Sequence, residues 1–127
     1  MYTVKIRDHI MIGHSLPHPF FGPAQNMHGA TFVVDVEFQS ENLDPHNVVV
    51  DMGFAHKVTK EVLAPLNYQN LDEVDIFKGK LTTTEFLAKH IHDEIQAQTK
   101  AVFTGSLKIT LGESHVAWAS YQGQPLL

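Results

Sequence analysis

An α+β fold, with a four-stranded antiparallel sheet carrying two helices on one face, is predicted for these 127 residues by three observations. Apolar and polar residues alternate along two segments near each end of the chain. Between them, two segments repeat an apolar residue every third or fourth position. Stretches bearing Gly and Pro separate the pieces. A period of two marks a half-buried strand, and a period near 3.6 marks a helix with one buried stripe. The order that results is β-β-α-α-β-β.

Val4, Ile6, Ile10 and Ile12 share one parity while Thr3, Lys5, Arg7 and His9 take the other, which predicts a first strand ending near Gly13. Residues 14–29 hold Pro17, Pro19, Gly22 and Pro23 and are expected to form an irregular loop. Phe32, Val34, Val36 and Phe38 then alternate with Thr31, Val33, Asp35 and Glu37 as a second strand. From Gly53, the spacing of Phe54, Val58, Val62 and Leu66 predicts an amphipathic helix, which Pro65 should end. A second helix is expected from the run Thr82, Thr83, Thr84 to near Thr99, with Leu87, Ile91 and Ile95 on its stripe. Phe103, Leu107, Ile109 and Leu111 restore strand parity until Gly112, and residues 116–121 read as the returning strand. One domain over residues 1–127 is the expectation. A sheet of this kind leaves open edges, and pairing between copies of the chain would cover them.

Composition narrows the function classes. Apolar residues make up 43% and charged residues 18%, an ordinary balance for a folded domain. The net charge is −5 with only nine Lys and Arg, which argues against a nucleic-acid partner, because phosphate neutralisation needs a cationic face. No apolar run approaches the roughly 20 residues of a membrane span, and residues 1–7 lack a leader pattern, so a cytoplasmic location is expected. The chain has no cysteine, which removes disulfides, thiolate ligands and cysteine nucleophiles together.

An ordered series of motifs resembles the 6-pyruvoyltetrahydropterin synthase and 6-carboxytetrahydropterin synthase family. Residues 10–16 (Ile-Met-Ile-Gly-His-Ser-Leu) are similar to its first-strand segment ending in His-x-Leu, and residues 26–32 (Asn-Met-His-Gly-Ala-Thr-Phe) to its Asn-Leu-His-Gly-His-Asn-Tyr. Residues 48–54 resemble the segment before the first helix, and residues 66–73 match its Leu-Asp-His-x-x-Leu-Asn stretch in length and flanks. Thr83, Thr84 and Glu85 resemble the Thr-x-Glu opening the second helix, and Glu113 with Ser114 the Glu-Thr of the last hairpin. The resemblance implies the tunnelling fold, whose subunits form a barrel, and a homohexamer built as a dimer of trimers.

The resemblance also implies a chemistry that this chain departs from. Three family histidines hold zinc; His14 and His28 stand at two of the positions and Ala30 at the third. Residues two apart on a strand share a face, so 28 and 30 could converge on one ion, but a methyl group cannot ligate. His14 and His28 are therefore read as relic ligand positions, with no metal and no cofactor expected; His18 and His115 stay open as substitutes. Ala24 replaces the family's catalytic cysteine, and Asn67 and Tyr68 replace its Asp-His couple. Neither an amide nor a tyrosine, which titrates near pH 10, serves as a base at neutrality, so the family's reaction is not expected and no residue is assigned a catalytic role.

What the resemblance retains is a binding site. Glu113 matches the glutamate that accepts two N–H bonds from the pterin ring, a planar fork opposite parallel donors. Thr83, Thr84 and Glu85 match the other half of the pocket, while Thr82 with Glu85 also reads as a capping box. A pterin-like small molecule is the expected ligand. The alternative is an enzyme with different chemistry on a related substrate, using His115, Tyr68 or His28 as acid or base.

Overall fold

The computed structural model describes residues 1–126, and statements of absence below refer to them. Its elements are β1 (Tyr2–His14), β2 (His28–Ser40), α1 (Met52–Leu63), β3 (Gln69–Asn70), α2 (Thr84–Thr99), β4 (Ser106–Ser114) and β5 (Ala117–Gln122). The sheet has five strands in the order β3-β1-β2-β4-β5, one more than the four expected. The addition is β3, two residues that lie parallel to Ile12 and Gly13 of β1. Two residues are too few to show a period, so nothing in the local sequence marks them.

The four long strands follow from alternation. β1 and β2 pair antiparallel along their whole lengths, from Tyr2 opposite Ser40 to His14 opposite His28. β2 pairs with β4 in turn, joining the two hairpins into one sheet. Ile6, Ile10 and Ile12, Phe32 to Phe38 at even positions, and Leu107, Ile109 and Leu111 all point to one face and are buried. Ala55, Val58 and Val62 of α1 and Leu87, Ile91 and Ile95 of α2 cover that face. The opposite face has no helix and exposes Met11, Val33 and Trp118 among charged residues.

Helix limits follow backbone hydrogen bonding more closely than the apolar stripe. Asp51 caps α1 by accepting from the Gly53 and Phe54 amides. The helix stops at Leu63, two residues before Pro65; Leu66, counted on its stripe from spacing, lies beyond the end yet is fully buried. The N-cap of α2 is Thr83 rather than Thr82, with Thr83 Oγ1 accepting from the Phe86 amide at 3.2 Å. The capping box read from Thr82 and Glu85 does not form: Thr82 is drawn into the protein, and three residues after the actual cap stands Phe86, which has no carboxylate to return the bond. The loop between β1 and β2 contains short 3₁₀ turns over Pro19–Gln25, entered through His18, whose ring accepts from the Phe20 amide.

One histidine away from the strand ends makes stability depend on pH. His90 of α2 lies edge-on to Phe77 at 4.9 Å, and burial pushes its imidazole below the usual range, against the opposing charges of Glu94 and Asp93. The unfolded chain therefore binds this proton more readily than the folded one. The contribution is complete above the unfolded value near 6.5 and is lost as pH falls below it. Urea unfolding at pH 7.5 and pH 5 should show a loss at the lower pH that His90→Phe, which keeps the ring contact, reduces.

Candidate functional site

The aligned ends of β1 and β2, the start of α2 and the β4–β5 hairpin meet at one end of the sheet. His14 and His28 face each other across the two strands, with ring centroids 4.6 Å apart at 63°. His14 is 4% exposed, and its Nδ1 lies 3.0 Å from Thr82 Oγ1. The Nδ1 of His28 donates to the Asn26 carbonyl at 2.8 Å. A carbonyl only accepts, so this bond assigns the proton to Nδ1 and leaves Nε2 with an open lone pair. Burial pushes the His14 imidazole below the usual histidine range, and the neighbouring His28 adds to the effect; Thr82, Asp72 and Glu113 oppose it. His14 is consequently neutral at pH 7.

The strand end is braced from the side. Ser15 donates both its amide, at 3.1 Å, and its hydroxyl to the Asp72 carboxylate. Asn67 Oδ1 accepts from the Met11 amide at 3.0 Å, and the Tyr68 amide donates to the Met11 carbonyl at 2.7 Å. These bonds hold Tyr68 at a φ of 60°, an uncommon conformation for a bulky residue, with its side chain 78% exposed. A cavity of about 390 Å³ lies beside the brace, lined by Ser15, Asp72, Phe77 and Lys80 among others. A larger cavity, about 650 Å³, is elsewhere, at the N-terminus of α1 between Asp44, His46 and Val102.

Of the residues singled out from sequence, the structure brings some together and separates others. Glu113 lies at the end of β4 on the His14 side, close enough for its charge to act on that imidazole, and it is exposed in the single chain. Thr83 is occupied as the helix cap, and Thr84 is buried in the first turn. Glu85 points elsewhere, into a groove it shares with Lys89, His90, Asp93 and Tyr121. Two participants were missed. Thr82 is 2% exposed and bonded to His14, and Asp72 anchors the strand end. The triple threonine was the only signal for Thr82, and it does not say which hydroxyl caps and which turns inward.

Ala24 lies in the 3₁₀ segment, where its carbonyl accepts from the Leu16 amide. Ala30 stands opposite Ile12 on the same face as His28. His18 is engaged in its local cap, and His115 belongs to a different cavity, with Arg7 and Trp118. Among the described residues no three His, Cys, Asp or Glu groups are arranged to hold a metal ion. The imidazoles brought together at this end of the sheet are those of His14 and His28, with the methyl group of Ala30 on the same face.

Comparison with known proteins gives a consistent result. The model of the family described as 6-pyruvoyl tetrahydropterin synthase matches residues 3–124. The 6-carboxy-5,6,7,8-tetrahydropterin synthase of Bacillus subtilis is 28% identical over 93 residues, covering 70% of this chain and 62% of that protein. The chain therefore spans under two thirds of the curated relative it matches. The 6-pyruvoyl tetrahydropterin synthase structure of Caenorhabditis elegans superposes with a TM-score of 0.84 at 25% identity, covering 97% of this chain and 96% of the other. The Plasmodium falciparum structure of the same description gives 0.75 at 12% identity, covering 97% and 98%, which shows a shared fold alone. No helix is long and apolar enough to cross a membrane.

Proposed function

Because the chain belongs to the 6-pyruvoyl tetrahydropterin synthase family, we propose that it binds a pterin-type ligand at the open end of its sheet, without the family's reaction and without a catalytic zinc. What supports this reading is the place of Glu113 at the far end of β4, toward the same end of the sheet as the paired His14 and His28, in a chain that the family model matches over residues 3–124. A carboxylate there can accept two parallel N–H donors from a guanidine-like ring edge. Its exposure in the single chain is consistent with a pocket completed by another copy, as in a homohexamer.

The loss of reaction rests on side chains. Ala24 has no proton to move, Asn67 is tied to the β1 backbone, and Tyr68 points into solvent. Isothermal titration against neopterin and biopterin tests the reading. Binding is expected, and Glu113→Ala should weaken it about 30-fold, the equivalent of the ~2 kcal/mol typical of a hydrogen bond to a charged group. If neither compound binds the intact protein, the pterin assignment is wrong.

A second reading is favoured by the orientation of His28, whose Nδ1 is tied to the Asn26 carbonyl so that Nε2 is the ring atom left for a substrate. His28 would then serve a different reaction on a pterin-related substrate. Turnover of dihydroneopterin derivatives that survives chelation and vanishes in His28→Gln would select this reading over binding alone.

A further inference from the structure

We propose that the helix-free face of the sheet carries a second binding site, in which a small planar aromatic acid stacks on the indole of Trp118 and meets the guanidinium of Arg7. Val33, Gly112 and Trp118 form one row across β2, β4 and β5. A Cβ at position 112 would lie 3.1 Å from both Cδ1 and Nε1 of the indole, so the absence of a side chain is what lets the ring lie over the strand. The register shifts between Gly112 and Ser114, and such a bulge re-aims the side chains around it. Glu113 thus serves the His14 side while Gly112, Ser114 and His115 line a cavity on the other.

The chemistry of this cavity selects the ligand. Its volume is about 220 Å³. A cavity of about 150 Å³ suffices for benzene, so the space suits one ring rather than a fused pair. Trp118 is 63% exposed and Val33 41% exposed, leaving an apolar floor open to solvent. Arg7 donates from Nε at 2.7 Å and from Nη2 at 3.0 Å to the two Asp35 oxygens, which leaves Nη1 for an incoming anion. Lys5 stands 3.6 Å from the same carboxylate, and the strand register places Glu37 opposite Lys5 and Lys108 opposite Glu37, so three cations stand among two anions on this face, against the net negative charge of the chain. An exposed indole offers a π-face to any flat ring, and the surplus cation favours an acid over a neutral ring or an amine.

Trp118 is the only tryptophan, so its fluorescence reports this cavity alone. Nicotinate added to the full-length protein should quench it saturably, with a dissociation constant of about 0.1–1 mM, as suits a one-ring ligand on an open surface. Nicotinamide, flat but neutral, and cyclohexanecarboxylate, charged but not flat, should bind about tenfold more weakly or worse, as should nicotinate to Arg7→Gln. Gly112→Ala, whose methyl displaces the indole, should weaken binding as well. Glu113→Ala should leave nicotinate binding unchanged, which separates this site from the pterin pocket. Absence of saturable quenching, equal response to the three compounds, or equal affinity in both Arg7→Gln and Gly112→Ala would overturn the proposal. So would shielding of Trp118 from iodide, which would place this face beneath a second copy of the chain.

Discussion

Ala30→His is expected to give a chain that retains about one zinc per molecule after dialysis, where the parent protein retains none. The argument is geometric. Position 30 lies on the same face of β2 as His28, and His28 faces His14 across β1, so a third imidazole would enter from the correct side of the strand. His28 already donates its Nδ1 proton to the Asn26 carbonyl, the outer bond that orients a ligating histidine and leaves Nε2 for the metal. Structural zinc sites with four ligands gain about 10–16 kcal/mol, so one added ligand is worth ~3 kcal/mol, or more than a hundredfold in affinity. Metal analysis on untagged protein checks the result. Stoichiometric zinc in the parent would remove the claim of a reduced site, and no gain in the variant would show that His14 and His28 do not form a metal pair.

Phe38→Ala should cost about 3–5 kcal/mol, the usual range for deleting a buried phenylalanine. Phe38 is fully buried in the central strand β2 and meets Phe103 edge to face at 5.1 Å, where the chain leaves α2 for β4. Removing the ring opens a cavity beneath the joint between the two hairpins, so little can relax into it. A loss of this size is a large share of the 5–15 kcal/mol that holds a typical domain together. Thermal unfolding should fall by something on the order of 10–15 °C. A change under about 1 kcal/mol would mean that the 99–106 segment repacks over the space, as cores that can collapse do.

Legibility of the fold followed the length over which a pattern could repeat. Val4 to Ile12 and Phe32 to Phe38 alternate over enough residues to announce β1 and β2, and the buried face they define is the one observed. Gln69 and Asn70 could not announce β3, because their pairing is set by Asn67 and Tyr68 fastening to Met11, some 56 residues distant in sequence. Leu66 looked helical from spacing alone, since burial on leaving a helix produces the same apolar signal as burial within it. The candidate site divides in the same way. His14, His28 and Glu113 were readable as motif positions, and the structure gathers them at one end of the sheet. Thr82 and Asp72 were not, because their partners His14 and Ser15 lie 68 and 57 residues away. Glu85 shows the converse: its place in the motif was clear, but its side chain faces Lys89, His90 and Tyr121 across α2.

Thr82 and Thr83 stand side by side, one bonded to a histidine and the next closing the first turn of α2. One peptide bond separates the hydroxyl that holds the imidazole from the hydroxyl that caps the helix, so a ligand that moves His14 is expected to alter amide exchange at Phe86. Exchange at Phe86 that is the same with and without bound ligand would show that the two bonds move independently.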